Sequence, residues 1–318
     1  MSGYRALAPA KVNLGLFVGP ARTSDGRHEL VTVMQSISLA DELRLTPAAA
    51  GAAEDEVCSP AVPGPPGANL AAAALRSFRA ATGWDAPPVR LEITKRVPLA
   101  AGLGGGSADA AATLRLARHT SGLGDEELLR ELGAALGADV PALLTPGRWL
   151  AAGAGERLQR LPDPSPPLEL LLLLPLASEL PTASVYAEAD RLGAGREPDE
   201  LVERYQQLLA AFGRGAPLPD DEQLLVNDLQ PAAVSLCPPV AEALTAVRTA
   251  GAEQVLVSGS GPTVVGLFER IRPCSRAAPG PAERAAARLR GRMPAPIWAT
   301  SVGPACASIG GDGRRRGR

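Results

Sequence analysis

The segment VPLAAGLGGGSADAAATLRLARH, residues 97–119, places four glycines within positions 102–106 and follows them with Ser107 and a run free of helix breakers. No other stretch limits the fold as tightly. Backbone amides converge on one point only where no Cβ holds the chain away, and glycine also reaches the positive φ angles that turn successive N–H groups inward. Before the bend, residues 89–98 alternate Val89, Leu91 and Ile93 with Arg90, Glu92 and Thr94, the pattern of a half-buried strand. After it, residues 107–118 read as a helix whose unpaired first amides and positive dipole end add to the same place. Strand, glycine bend and helix in that order describe a phosphate site built on Gly102, Gly104, Gly105, Gly106 and Ser107. The alternative is a plain flexible connection. The alanines at 108, 110, 111 and 112 let the helix approach neighbouring backbone closely. The bend is not a Walker loop, because no GxxxxGKS or GxxxxGKT is present. It is not a dinucleotide fingerprint either, because no acidic residue follows at the right distance on a second strand.

Around this bend the chain reads as α+β in two lobes, with strands and helices in irregular order and no internal repeat. Residues 4–18 have strand character broken by Pro9. Residues 31–45 hold two short β-like runs about a polar turn, and 47–67, rich in Ala, Gly and Pro, read as an exposed loop. Helices are expected at 69–82, between Asn69 as cap and Gly83 as stop, and at 125–137, followed by a hairpin over 147–158. A Pro-rich linker at 161–167 then separates an N-terminal lobe, 1–160, from a C-terminal lobe, 168–303. The second lobe opens with a strand at 168–176 and continues with helices at 184–192, 198–212 and 238–250. It ends with strand, glycine turn and strand over 253–268, a Pro-rich loop running into a helix, and a last strand in PIWATSV. The Pro-rich insert at 272–281 suggests no function, and the arginine-rich end, 304–318, reads as a disordered tail.

At 318 residues the chain exceeds one compact core, and with 46% apolar but only 3% aromatic residues its core must be built from Leu, Val and Ala. A net charge of −2 gives no reason to expect nucleic acid or a membrane surface as partner. The scattered Cys58, Cys237, Cys274 and Cys306 form no CxxC, and no apolar run is long enough to span a bilayer, so a soluble protein of the reducing cytoplasm is expected. Of 32 basic residues only Lys11 and Lys95 are lysine. A compact ammonium fits beside a phosphate or a catalytic carboxylate where a forked guanidinium does not, so a retained lysine marks a place that needs one, unless the two are chance survivors.

AKVNLGL from Ala10, DGRHEL from Asp25, AAGLGGGSADAA from Ala100, LGADVP from Leu136 and SGSGPT from Ser258, in that order, resemble the signature segments of the galactokinase, homoserine kinase, mevalonate kinase and phosphomevalonate kinase superfamily. The resemblance runs from Pro9 to Ser301. It implies an N-terminal lobe like ribosomal protein S5 and a ferredoxin-like C-terminal lobe with the active site between them. It further implies ATP with Mg²⁺, and phosphorylation of the 2-hydroxyl of a cytidine diphosphate-linked methylerythritol in isoprenoid-precursor synthesis, by a monomer or homodimer. A sister kinase acting on homoserine, mevalonate or a sugar, and a catalytically silent nucleotide-binding protein, are the alternatives.

Residue by residue, the resemblance makes Lys11 and Asp139 the catalytic pair, although Asp139 taken alone reads as a helix N-cap. Nucleotide contacts fall on Pro98, Leu99, Ala100, Ala101, Gly102, Leu103, Gly104, Gly105, Gly106, Ser107 and Ala108. Lys95 is either a further nucleotide contact or a solvated strand residue. Ser107 caps the helix, offers its hydroxyl to phosphate or Mg²⁺, or does both. Asn13 shares a strand face with Lys11 and matches a substrate-contacting asparagine, against a plain turn or edge amide. The family's usual tyrosine for stacking on cytosine is replaced by Arg27, so the expected sandwich is Arg27, cytosine and Tyr186, with His28 reading the base edge. Without its motif, His28 would read as a structural histidine.

Overall fold

The computed structural model describes residues 3–60, 69–175, 180–269, 279–291, 293–294 and 296–311. Most of the Pro-rich insert and the last seven residues, 312–318, therefore lie outside the described residues. The N-terminal lobe is a seven-stranded sheet: β1 (Tyr4–Ala21), β2 (His28–Pro47), β3 (Glu56–Cys58), β4 (Val89–Thr94), the hairpin β5 (Arg148–Gly153) with β6 (Arg157–Leu161), and β11 (Gly310–Gly311). One face is covered by α1 (Leu70–Thr82), α2 (Gly105–Ser121), α3 (Glu126–Leu136) and the short α4 (Val140–Leu144), over a core that includes Leu43, Leu91, Phe78 and Leu114.

Pro9 does not end the first strand as expected. The pairing of β1 with β2 shifts register between Pro9 and Lys11 and again between Asn13 and Gly15. A bulge accommodates a residue that lacks an N–H, so the strand continues. Lys11 and Asn13 lie between the two irregularities, where bulges re-aim side chains. The two runs expected within 31–45 are one strand, because β2 pairs along its length with β1 and is shared on its other edge by β5 and β4. Of the expected exposed loop at 47–67, residues 61–67 lie outside the described residues, and the remainder contains β3, which pairs parallel to β4.

The C-terminal lobe carries β7 (Glu169–Leu173), β8 (Gln254–Val257), β9 (Val264–Phe268) and β10 (Ile297–Thr300) in an antiparallel sheet of order β10-β7-β9-β8. That is the ferredoxin-like order, with α5 (Thr182–Leu192), α6 (Pro198–Phe212), α7 (Gln230–Leu236), α8 (Pro239–Thr249) and α9 (Pro281–Leu289) around it. The lobes share one junction core. Val12, Phe17 and Val33 of the first sheet meet Leu170, Leu172 and Val265 of the second, with Leu208 and Phe212 of α6 closing the side. Within the expected tail, the described residues 304–311 are built into the fold: Gly310–Gly311 pair with β1, and the half-buried Arg115 donates to the carbonyl oxygen of Ala307.

Candidate active site

Between the lobes lies a cleft of about 1040 Å³ lined by every residue from Pro98 to Ser107 and by Lys11, Asn13, Arg27, His28, Asp139 and Tyr186. Ala108, grouped with the nucleotide contacts, is instead buried in the N-terminal-lobe core.

The glycines have separate geometric reasons. A Cβ on Gly102, at φ 74°, would lie 2.3 Å from the carbonyl oxygen of Ser258, so the bend and the 258–263 turn of the other lobe pack backbone to backbone. A Cβ on Gly104, at φ 67°, would lie 3.0 Å from Lys11 Cγ and 3.5 Å from Asp139 Oδ2. Here the loop approaches the two side chains that matter most. Helix α2 starts at Gly105 with Gly104 as its N-cap and no side chain capping it, two residues earlier than the sequence suggests. Ser107 is therefore not the cap. Its hydroxyl sits on the first turn beside amides that have no partner within the helix, which is the donor arrangement that holds phosphate oxygens. Ala100, at φ 50°, is the only non-glycine in the left-handed region among the described residues, and such strain collects at functional loops.

Lys11 reaches into the cleft with 6% of its surface exposed, and its ammonium donates to Asn13 Oδ1 at 2.9 Å while Asp139 Oδ2 lies 3.4 Å away. Asn13 Nδ2 donates in turn to Thr32 Oγ1, whose hydroxyl donates to the carbonyl of Gly15, so Lys11 is held by a chain of three hydrogen bonds anchored on the sheet. Asp139 occupies the N-cap position of α4 but its carboxylate caps nothing; a third of the side chain is exposed to the cleft. The N-cap reading is thus set aside on geometry. A carboxylate and an ammonium side by side, next to a loop of unpaired amides, can take a proton from a hydroxyl and stabilise the oxygen that remains.

Lys95 is not solvated. Its ammonium, with the side chain 5% exposed, lies 2.5 Å from Asp41 Oδ2 and 2.7 Å from Asp109 Oδ2. Burial pushes the Asp109 carboxyl up to about 7 against the pull of Lys95. Sequence reading missed both carboxylates. The only signal for Asp41 is its place in the inward row of β2 with Leu43 and Leu45.

At the other end of the cleft Arg27, His28 and Tyr186 meet, but not as the expected stack. Arg27 Nη2 donates to the carbonyl of Ala154 at 2.5 Å, and the ring lying against Tyr186 is that of His28, at 5.0 Å between centroids and tilted by 33°. Among the described residues no cation–π pair joins Arg27 to Tyr186. His28 Nδ1 lies 2.9 Å from the carbonyl oxygen of Gly19, which requires the proton on Nδ1 and leaves Nε2, 3.4 Å from Asp190 Oδ2, turned to the cleft. Burial, with the negative charge of Asp139 adding, raises Tyr186 to about 12, so its hydroxyl remains neutral.

The fold and this site define a small-molecule kinase of the GHMP class. Residues 69–147 match the model of the GHMP kinases N terminal domain and 201–295 that of the GHMP kinases C terminal domain, and the chain belongs to this family. Within it the chain is 43% identical over 279 residues to the 4-diphosphocytidyl-2-C-methyl-D-erythritol kinase of Streptomyces coelicolor, covering 84% of this chain and 88% of that one. The enzyme of the same name from Nocardia farcinica is 43% identical over 272 residues, covering 82% and 84%. A crystal structure of 4-(cytidine 5'-diphospho)-2C-methyl-D-erythritol kinase superposes with a TM-score of 0.73 at 35% identity, over 94% of this chain and 100% of that chain.

Proposed function

We propose that the chain transfers the γ-phosphoryl group of ATP to the 2-hydroxyl of 4-diphosphocytidyl-2-C-methyl-D-erythritol, a step of isoprenoid-precursor synthesis in the cytoplasm. The observation that carries this reading is the meeting of Lys11, Asp139 and the glycine bend within one cleft, 3.4 Å separating ammonium and carboxylate. Asp139 accepts the proton of the substrate hydroxyl while that oxygen forms its bond to the γ-phosphorus and the bond to the leaving ADP breaks. Lys11, 3.4 Å from that carboxylate, stabilises charge on the attacking oxygen. The amides at the start of α2 hold the phosphate oxygens, and Asn13 orients the acceptor while it holds Lys11.

Mg²⁺ would offset the charge of the phosphate groups during transfer. Among the described residues no group of three or more His, Cys, Asp or Glu could hold an ion by itself. Such a donor set suits a metal that arrives on the nucleotide and takes few protein oxygens, with Ser107 the side chain that would hold it. At the cytidine end His28 reads the base edge through Nε2, and Tyr186 supplies the apolar wall.

Arg27 in place of the stacking tyrosine is the feature that favours a sister substrate. Purified protein incubated with ATP, Mg²⁺ and each candidate alcohol separates the readings. The cytidine compound should be phosphorylated at least about a hundredfold faster in kcat/KM than homoserine or mevalonate. Turnover of either of those without the cytidine compound ends the proposal, and turnover of none favours a silent nucleotide-binding protein.

A further inference from the structure

The buried triad Lys95, Asp41 and Asp109 has no part in the chemistry described so far, and its connections all run to the two ends of the glycine bend. Asp41 is wholly buried on β2. Its Oδ1 accepts from the backbone amides of Arg96 at 2.5 Å and Val97 at 2.8 Å, and its Oδ2 from Lys95 Nζ, which fixes the chain where it leaves β4 and turns into the bend. Asp109 lies one turn into α2, 2% exposed, and binds the same ammonium through Oδ2, while its Oδ1 is buried with no hydrogen-bond partner. One ammonium thus joins residues 95–97, ahead of the bend, to residue 109, beyond it. The bend packs closely on it at one side: a Cβ on Gly105 would come within 2.9 Å of Val97 Cγ1 and 3.4 Å of Lys95 Nζ. Two carboxylate oxygens converge on a single nitrogen at 2.5 and 2.7 Å, an arrangement that suits a compact ammonium better than a forked guanidinium. Lys95 lines the cleft, but Asp41 and Asp109 do not.

We infer that Asp41, Lys95 and Asp109 act as a positioning clamp that closes the ends of the phosphate loop on each other and so sets nucleotide affinity without touching the nucleotide through either carboxylate. The inference rests on reading the bend as the triphosphate site. Its energetic logic is that of a preorganised anion site. Amides aimed before the ligand arrives cost nothing to order on binding, whereas a bend with one end released must be ordered each time. The clamp's ion pairs and hydrogen bonds include neither Lys11 nor Asp139, so its loss falls on ATP binding and leaves the transfer step alone.

Steady-state kinetics on D109A and D109N, each checked for folding by thermal melting, test the clamp. D109A removes the tie to α2. D109N keeps an acceptor oxygen for Lys95 Nζ in the same volume. The clamp predicts that D109A raises KM for ATP by about tenfold or more, with kcat within about threefold and KM for the alcohol within about twofold, and that D109N returns KM for ATP to within about threefold of the parent. If D109A does not accumulate as folded protein, D109S carries the same expectation. An unchanged KM for ATP, a parallel rise in both KM values, a loss confined to kcat, or no recovery in D109N overturns the clamp. A parent protein with no ATP-dependent turnover overturns the reading of the bend instead.

Discussion

Gly104 shows how much a single missing side chain decides. Its Cβ position lies 3.0 Å and 3.1 Å from Lys11 Cγ and Cε, and its φ of 67° is one that L side chains rarely adopt. Gly104→Ala therefore displaces the lysine and strains the bend together. We expect kcat to fall by at least about tenfold, with stability reduced by about 1–2 kcal/mol in a melt, because strain in that region costs about that much. Wild-type kcat in this variant would show that the close approach is incidental. At this scale the sequence is most legible where chemistry and spacing coincide: Lys11 and Asn13, two residues apart on one strand, face the same way and are hydrogen bonded. It is least legible where partners are remote in the chain. Asp41 reaches Lys95 across 54 residues, and only the register of β2 against β4 brings them together. Arg27 is a further case. Its residue type permits stacking, but a backbone carbonyl from the β5–β6 turn takes its guanidinium, and that turn is 127 residues away.

Among the elements, α2 carries the logic of the alanine run. Ala110, Ala111 and Ala112 are completely buried, and the helix packs on α1, α4 and the sheet through them. Ala110→Leu forces a larger side chain into that contact and should destabilise the protein by about 1–3 kcal/mol, seen as a lower urea midpoint at unchanged slope. A neutral result would mean the helix stands off its neighbours. The longer helices and the hairpin are readable from caps and periodicity, as Asn69, whose side chain accepts from the Ala71 amide, and Gly83, at φ 64°, illustrate for α1, whereas the seven-residue α7 is not. The strands were less so. Pro9 suggests a break that a bulge absorbs, and β3 and β11, at three and two residues, are too short to leave a pattern. They exist because an edge is available to pair with, which is a property of the assembled sheet.

For the whole molecule, the two-lobed reading holds, but the lobes do not pack independently. Phe212 is completely buried in the core they share, with the Arg148 guanidinium 4.7 Å above its ring and that arginine tied to Gln35 of β2 and to the carbonyls of Ala216 and Pro217. Phe212→Ala should cost about 3–5 kcal/mol and lower one cooperative transition, whereas separate melting of the lobes would contradict a common core. The shared core is also what keeps the 258–263 turn against the glycine bend, and hence the nucleotide end of the cleft against the acceptor end. The central claim is that this arrangement holds the γ-phosphate of ATP between the first amides of α2 and the Lys11 and Asp139 side chains. A crystal structure with a non-hydrolysable ATP analogue and the cytidine alcohol tests it most directly. The account predicts the γ-phosphate hydrogen bonded to amides of residues 104–107, with the acceptor hydroxyl about 3 Å from an Asp139 oxygen and about 3–3.5 Å from the γ-phosphorus. A nucleotide whose phosphates lie away from the bend, or an acceptor hydroxyl beyond the reach of Asp139, would contradict it.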